Sequence, residues 1–339
     1  MNNKKVTKIE GTLVAETEKA LLIKFKSGKE EWIPKSTLKS QHKPDMKDFQ
    51  LFIFETWVLE KKGLIIDEKA LLLQIVQDLK SHHSENLISI YGIGSFFDRN
   101  LPSSWTKTDI DLILIVKSIE DIPEEDWKKR FYSRSFHGFE VFLGYNTIKM
   151  YQNKENFKKF SVANYEWALI ELANHENSEL LCGQDIRDRL PPSDRLNFDF
   201  DDIIARGIYH IEKSLREKED NIAMREFTKS IFKIGFYCCL YFGQNFKHTS
   251  FIEIKKQLES LNNPIFNTIK GFFEEAFIYR EIDQFNRDFK TLRNEFTQFI
   301  INSFLSGELH RKLTSSELKI FFTKYFGGFP LIIRAFKIN

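Results

Sequence analysis

Gly94-Ser95 and Asp109-Ile110-Asp111 are the residues of this chain whose types and spacing point to chemistry. Thirteen residues separate Ser95 from Asp109, and apolar runs flank both motifs, Ile88 to Ile93 before the turn and Leu112 to Val116 after the acids. Side chains alternate along a strand, so Asp109 and Asp111 project from one face and Ile110 from the other. Two carboxylates crowded in this way repel unless a cation neutralises them, and Mg²⁺, a hard oxygen-seeking ion, is the natural candidate. The Gly-Ser turn offers backbone N–H groups and a hydroxyl to a phosphate beside that ion. A phosphate cradle next to a metal-binding pair equips a protein for nucleotidyl transfer.

Positioning these groups takes two strands joined through a turn, and the surrounding pattern supplies them. The reading is an α+β chain in three parts. Residues 1–62 read as β, with short apolar strands at Thr12–Ala15, Ala20–Lys26, Glu31–Pro34 and Leu51–Leu59. That pattern predicts a small SH3-like or OB-like barrel. Residues 67–198 form the catalytic part: a helix over Ala70–Leu79 and strands at Leu87–Gly92, Asp111–Val116 and Phe139–Leu143. A helix-like segment lies around Glu124–Arg130, and the whole gives a mixed sheet with helices. His82-His83 are expected to offset the dipole at the end of the first helix. From 199 to 339, apolar stripes of helical period at Ile203–Leu215, Met224–Phe242, Phe251–Leu261, Ile265–Tyr279 and Phe285–Phe304 predict a bundle of four to six helices.

Bulk properties narrow the partners. A net charge of +2 over 339 residues is too small for a polycation, so any nucleic-acid contact must be local. Residues 1–62 hold 13 lysines against nine acids, and Trp32 and Trp57 stand among them. That combination fits single-stranded nucleic acid through phosphate neutralisation and stacking, or equally a structural module with core tryptophans. The three cysteines, Cys182, Cys238 and Cys239, have neither metal nor disulfide spacing, and the adjacent pair reads as small core residues. With no apolar run of membrane-spanning length, the expected setting is cytoplasmic and away from membranes.

The run Ile93-Gly94-Ser95, thirteen residues, then Asp109-Ile110-Asp111-Leu112 resembles the signature of DNA polymerase β-type nucleotidyltransferases. Ser178–Arg187 and the helices after it are similar to aminoglycoside-type members, while residues 1–62 lie outside the family pattern. The resemblance implies a short mixed sheet with a third carboxylate on a later strand, and Glu140, between Phe139 and Val141, matches it by type and order. It also implies that Asp109, Asp111 and Glu140 serve as catalytic and metal-binding acids for Mg²⁺. Gly94 and Ser95 would hold the phosphates of an NTP such as ATP.

The expected reaction is transfer of a nucleoside monophosphate to an acceptor hydroxyl with release of pyrophosphate. A polynucleotide end, a small hydroxylated molecule, a protein side chain or a second nucleotide all suit this core as acceptor, with nucleic acid favoured by the basic N-terminal stretch. The alternative is a catalytically idle protein that binds nucleic acid or a partner. Arg225, Lys229 and Lys233 fall on successive turns of one helix and either meet a triphosphate or form a solvated face. Asp199, Asp201 and Asp202 read as helix-start acids. Arg293 with Gln298 is similar to the Arg-X4-His motif of HEPN ribonuclease domains, but Gln cannot supply histidine's acid–base chemistry.

Overall fold

The computed structural model describes residues 6–25, 29–44, 50–64, 68–102, 105, 109–124, 140–161, 163–191, 198–243 and 246–338. The chain is α+β and divides into two compact units, Met1–Ser81 and His82–Asn339. Of the segment expected to be helical around Glu124–Arg130, residues 125–130 lie outside the described residues.

In the first unit, β1 (Val6–Glu16), β2 (Ala20–Phe25), β3 (Glu30–Pro34) and β4 (Gln50–Glu55) form one antiparallel sheet in the order β3-β2-β1-β4. Alternation builds its inner face: Leu21, Ile23, Phe25, Ile33, Phe52 and Phe54 are buried. Gly11 lets β1 cross closely, since a β-carbon there would stand 2.5 Å from Ile23.

The expected closed barrel does not form. Among the described residues, the return toward β4 is limited to one bridge, Leu38 to Phe54, with the Lys39 N–H on the Ile53 carbonyl at 2.6 Å. Four short strands cannot wrap fully, and helix α1 (Thr56–Lys61) covers the core instead with Val58 and Leu59. The strand expected through Leu59 therefore stops at Glu55. Helix α2 (Glu68–His83) follows.

The second unit begins with a mixed sheet of β5 (Leu87–Ile93), β6 (Asp109–Val116), β7 (Glu140–Asn146) and β8 (Ser178–Gly183), in the order β7-β6-β5-β8. The β6–β7 pair is parallel and the other two are antiparallel. Helices α3 (Ile148–Gln152), α4 (Lys154–Phe160) and α5 (Tyr165–Ala173) separate β7 from β8. His83 is buried, with Nε2 3.0 Å from the Tyr145 hydroxyl of β7, and is not a surface dipole partner.

Seven helices then follow among the described residues, more than the four to six expected. They are α6 (Phe200–Arg216), α7 (Asp220–Phe242), α8 (Phe251–Ser260), α9 (Pro264–Ile282), α10 (Phe289–Ser306), α11 (Ser315–Lys324) and α12 (Pro330–Ala335). Asp199 caps α6 by accepting the Asp202 N–H at 3.1 Å, as helix-start acids do. Cys238 and Cys239 are fully buried in the helical core. Trp105 and Ile170 belong to that same core, which is how the sheet region and the helices come to share one packed interior. Arg293 donates to the Ser214 carbonyl at 2.8 Å, a structural use that joins α10 to α6.

Candidate active site

A left-handed glycine turns the chain at the end of β5. Gly94 has φ of 73°, and a β-carbon there would lie 2.7 Å from Asp111 Oδ2, so no other residue fits both the backbone and the neighbour. The Gly94 carbonyl accepts the N–H groups of Phe97 (3.2 Å) and Asp98 (3.1 Å), closing the turn. Phe97 folds back over Gly92, where a β-carbon would strike its ring at 2.3 Å. The glycine thus sets the Gly94-Ser95 turn with Gly94 directly against Asp111.

Asp109 and Asp111 occupy the start of β6, and Ile110 between them is fully buried. In register, Asp111 stands opposite Ile93 on β5 and Phe142 on β7, while Asp109 stands opposite Glu140. Alternation and register together put Asp109, Asp111 and Glu140 on one face of the sheet. Glu140 is exposed at the first position of β7. Burial, then the charge of Asp109, pushes the Asp111 carboxyl up to about 7.

A row of cations relieves that pressure. Lys229, Lys233 and Arg225 of α7 all act on Asp111 in the opposite sense, and Arg225 Nη2 lies 3.4 Å from Asp109 Oδ2. Spaced four residues apart, the three share one helix face over roughly 12 Å of axis. The row faces the acids, with Arg225 and Lys229 also reaching solvent. Glu226, buried behind it, receives His210 Nδ1 at 2.8 Å, Lys213 at 3.1 Å and Lys229 at 3.3 Å. Burial alone would raise Glu226. The hydrogen bond with His210 and the nearby lysines outweigh it and hold the carboxyl well below its ordinary value.

Two participants escaped the sequence reading. Glu171 of α5 is buried next to the turn, with its carboxylate toward the Gly94 N–H and the Trp167 indole. Lys233 Nζ sits 2.9 Å from the centre of the Trp167 ring. Burial pushes Glu171 up and Lys233 down, and each charge partly offsets the penalty on the other. Arg280 of α9 lies 5.2 Å over the Trp105 ring and feels the charge of Asp109. A Glu within an apolar helix and an Arg far along the chain gave no spacing signal that ties them to the acids.

The donor set suits a hard divalent ion. Asp109 and Asp111 supply carboxylate oxygens beside a glycine that leaves their space open, and Asp111 is held at a pKa that a cation would lower. Among the described residues, no group of three or more His, Cys, Asp or Glu is placed to hold a metal ion, so Glu140 does not join Asp109 and Asp111 in one ligand set. An ion here would therefore draw further ligands from substrate oxygens and water, which is how Mg²⁺ is usually bound.

Two hollows lined by residues of this region differ in kind. A groove of about 910 Å³ runs past Arg99, His175, Glu179, Arg187 and His248, but its arginines are already engaged, Arg99 with Glu179 at 3.1 Å and Arg187 with Asp185 at 2.6 Å. A chamber of about 40 Å³ lies against Gly94 and Ser95, bounded by Trp167, Glu171, Asn177 and Ser250. The smaller one adjoins the Gly94-Ser95 turn. No protein-family model matches this chain, and no curated protein matches it either.

Proposed function

We propose that the protein is a Mg²⁺-dependent nucleotidyltransferase that moves a nucleoside monophosphate from an NTP to an acceptor hydroxyl. The observation that carries this reading is the row Arg225, Lys229 and Lys233 facing Asp109 and Asp111 beside the left-handed Gly94 turn. A polyanion bound with a divalent ion fills the space between carboxylates and cations with both signs matched. Nucleic-acid readers and idle binders need no such opposition.

In this reading Asp109 and Asp111 hold Mg²⁺, which when bound neutralises phosphate charge and aligns the oxygens of the reaction. Gly94 and Ser95 take the β- and γ-phosphates, and the α7 cations lie along the chain of phosphates. The acceptor oxygen forms its bond to the α-phosphorus, the bond to pyrophosphate breaks, and Glu140 takes the hydroxyl proton. Glu140 has the exposure an incoming acceptor requires, and it shares the face of the pair. Positioning and charge neutralisation supply most of the rate.

For the acceptor, one feature favours nucleic acid. Trp32 and Trp57 are 39% and 48% exposed, so their rings are available to stack on bases. Against a strong electrostatic site, Lys35, Lys39 and Lys62 are paired with Glu16, Glu55 and Glu31. Stacking with modest charge therefore fits better than a basic track.

The direct test uses each NTP labelled at the α-phosphate, with Mg²⁺ and total RNA, DNA, protein or small-molecule fractions as acceptor. Label should enter one fraction with wild type and none with Asp109→Ala. Equal labelling by that variant would end the proposal.

A further inference from the structure

Arg280 is a cation without an anion. It lies near the end of α9, half-buried, with its guanidinium 5.2 Å over the Trp105 ring. Trp105 is itself buried and packs edge-on against Phe277 with ring centres 4.9 Å apart, so the stack has a fixed base. Stacking uses only the flat face of a guanidinium and leaves its in-plane N–H donors to be satisfied. Here Nε is buried and makes no hydrogen bond among the described residues. Asp109, the carboxylate whose charge it feels most, pairs with Arg225 instead, at 3.4 Å. Asp283, at the exposed end of α9, acts on it more weakly. A half-buried cation in that state costs free energy that a bound anion would offset.

Two tethers set its place relative to the acids. Trp105 stands four residues before Asp109. The Tyr279 hydroxyl, on the residue before Arg280, donates to the Asn221 carbonyl at 3.4 Å, and Asn221 lies one turn of α7 beyond Arg225, away from Lys229. Arg280 therefore continues the row Lys233, Lys229, Arg225 past its Asp109 end. The two ends of that row differ in their surroundings. Lys233 lies toward Glu171 and the Gly94 turn. Arg225 lies toward Asp109, which stands opposite Glu140 in register. With the triphosphate running to the turn and the acceptor hydroxyl arriving beside Glu140, Arg280 falls on the acceptor's side.

We infer that Arg280, stacked on Trp105, binds a phosphate ester that the acceptor carries beside its reacting hydroxyl. The acceptor is then an anion, either the terminal nucleotide of a polynucleotide or a small phosphorylated alcohol. This rests on the nucleotidyltransferase reading and names its acceptor class. The planar fork of an arginine matches two phosphate oxygens, and a cationic acceptor would be repelled.

The test is isothermal titration of the full-length protein, saturated with Mg²⁺ and the non-transferable analogue α,β-methylene-ATP. The probes are a short oligoadenylate with a free terminal hydroxyl, glycerol phosphate, glycerol, and kanamycin as a hydroxylated polyamine. Wild type should bind a phosphate ester and neither glycerol nor kanamycin. Arg280→Ala should weaken that binding about tenfold or more, and Arg280→Lys, which keeps the charge without the fork, about threefold. Both should keep the Kd for Mg·ATP within about twofold of wild type, and Arg280→Lys keeps the test open if Arg280→Ala lowers Tm, since its stem still covers Trp105. Arg280-dependent binding of the oligonucleotide alone assigns a polynucleotide end, and of glycerol phosphate a small ester. No Arg280-dependent binding of either ester, binding of kanamycin, or a parallel loss of Mg·ATP affinity overturns the inference while leaving the nucleotide reading standing. If Mg·ATP does not bind to wild type, the underlying reading itself falls.

Discussion

Arg225 Nη2 lies 3.4 Å from Asp109 Oδ2, joining residues 116 positions apart across the sheet and the helical region. The contact is long and partly exposed, with the arginine side chain 40% exposed, so it contributes little to stability. Its significance is placement. Under the proposed function, the guanidinium would draw a phosphate oxygen toward Asp109.

Replacing Arg225 should therefore act on nucleotide binding and not on folding. Arg225→Ala and Lys229→Ala should each weaken Mg·ATP about tenfold, and the double variant about 100-fold; Arg225→Ala should keep Tm within a degree or two of wild type, whereas Lys229→Ala, which takes one of three partners from the buried Glu226, should lower it. Titration calorimetry and thermal melts on the same samples check both halves.

Glu226 should behave in the opposite way. It is buried, and its folded pKa lies below the ordinary carboxylate value, so its stabilisation is fully present above about pH 4.5 and is lost as pH falls through the folded value. Glu226→Gln removes the charge that holds His210, Lys213 and Lys229, and should cost about 2–3 kcal/mol at pH 7. The difference from wild type should narrow below pH 4.5. Urea unfolding at pH 7 and at stepwise lower pH reads the gap directly. A gap that stays constant would mean the loss comes from packing.

Glu140 separates binding from chemistry. Glu140→Gln should leave the Kd for Mg·ATP within twofold and lower kcat by about 10²- to 10³-fold, the range expected for removing a general base. Single-turnover kinetics under saturating nucleotide measure it, once an acceptor fraction is found. A loss confined to KM would instead make Glu140 a binding group.

On the N-terminal sheet, Trp32→Ala should weaken binding of a single-stranded oligonucleotide at low salt by about 1–3 kcal/mol. Because several lysines are already paired with acids, the salt slope should be shallow, about two phosphates at most, at roughly −0.7 each for a single strand. Fluorescence anisotropy across a salt series checks this. No binding at low salt would leave the sheet structural and shift the acceptor toward small molecules.

The motifs that were legible in the sequence are those whose physics is local. The Gly94 turn and the Asp109–Asp111 alternation depend on neighbours along the chain, and β5, β6 and β7 lie where the apolar runs predicted them. The parallel pairing of Asp109 with Glu140 was reachable only through the resemblance, since register between distant strands leaves no spacing in sequence. Closure of the N-terminal barrel failed because alternation reports which faces are buried, not whether edge strands meet. Trp57 illustrates the limit. It continues the apolar run of β4, yet it turns into α1, where its indole N–H bonds Glu55 at 2.6 Å. Glu171 and Arg280 were invisible for the same reason. An acid in an apolar helix and an arginine near a helix end are ordinary in sequence, and only their tertiary neighbours make them otherwise.

The most direct measurement is isothermal titration of each of the four NTPs into the full-length protein, with Mg²⁺ and then with EDTA, for wild type and Asp109→Asn/Asp111→Asn. At least one NTP should bind wild type only when Mg²⁺ is present, and the double variant should lose at least 100-fold in affinity while melting no lower than wild type, because it removes two mutually repelling carboxylates. Binding that is the same in EDTA, binding retained by the double variant, or no binding of any NTP to wild type would contradict the assignment.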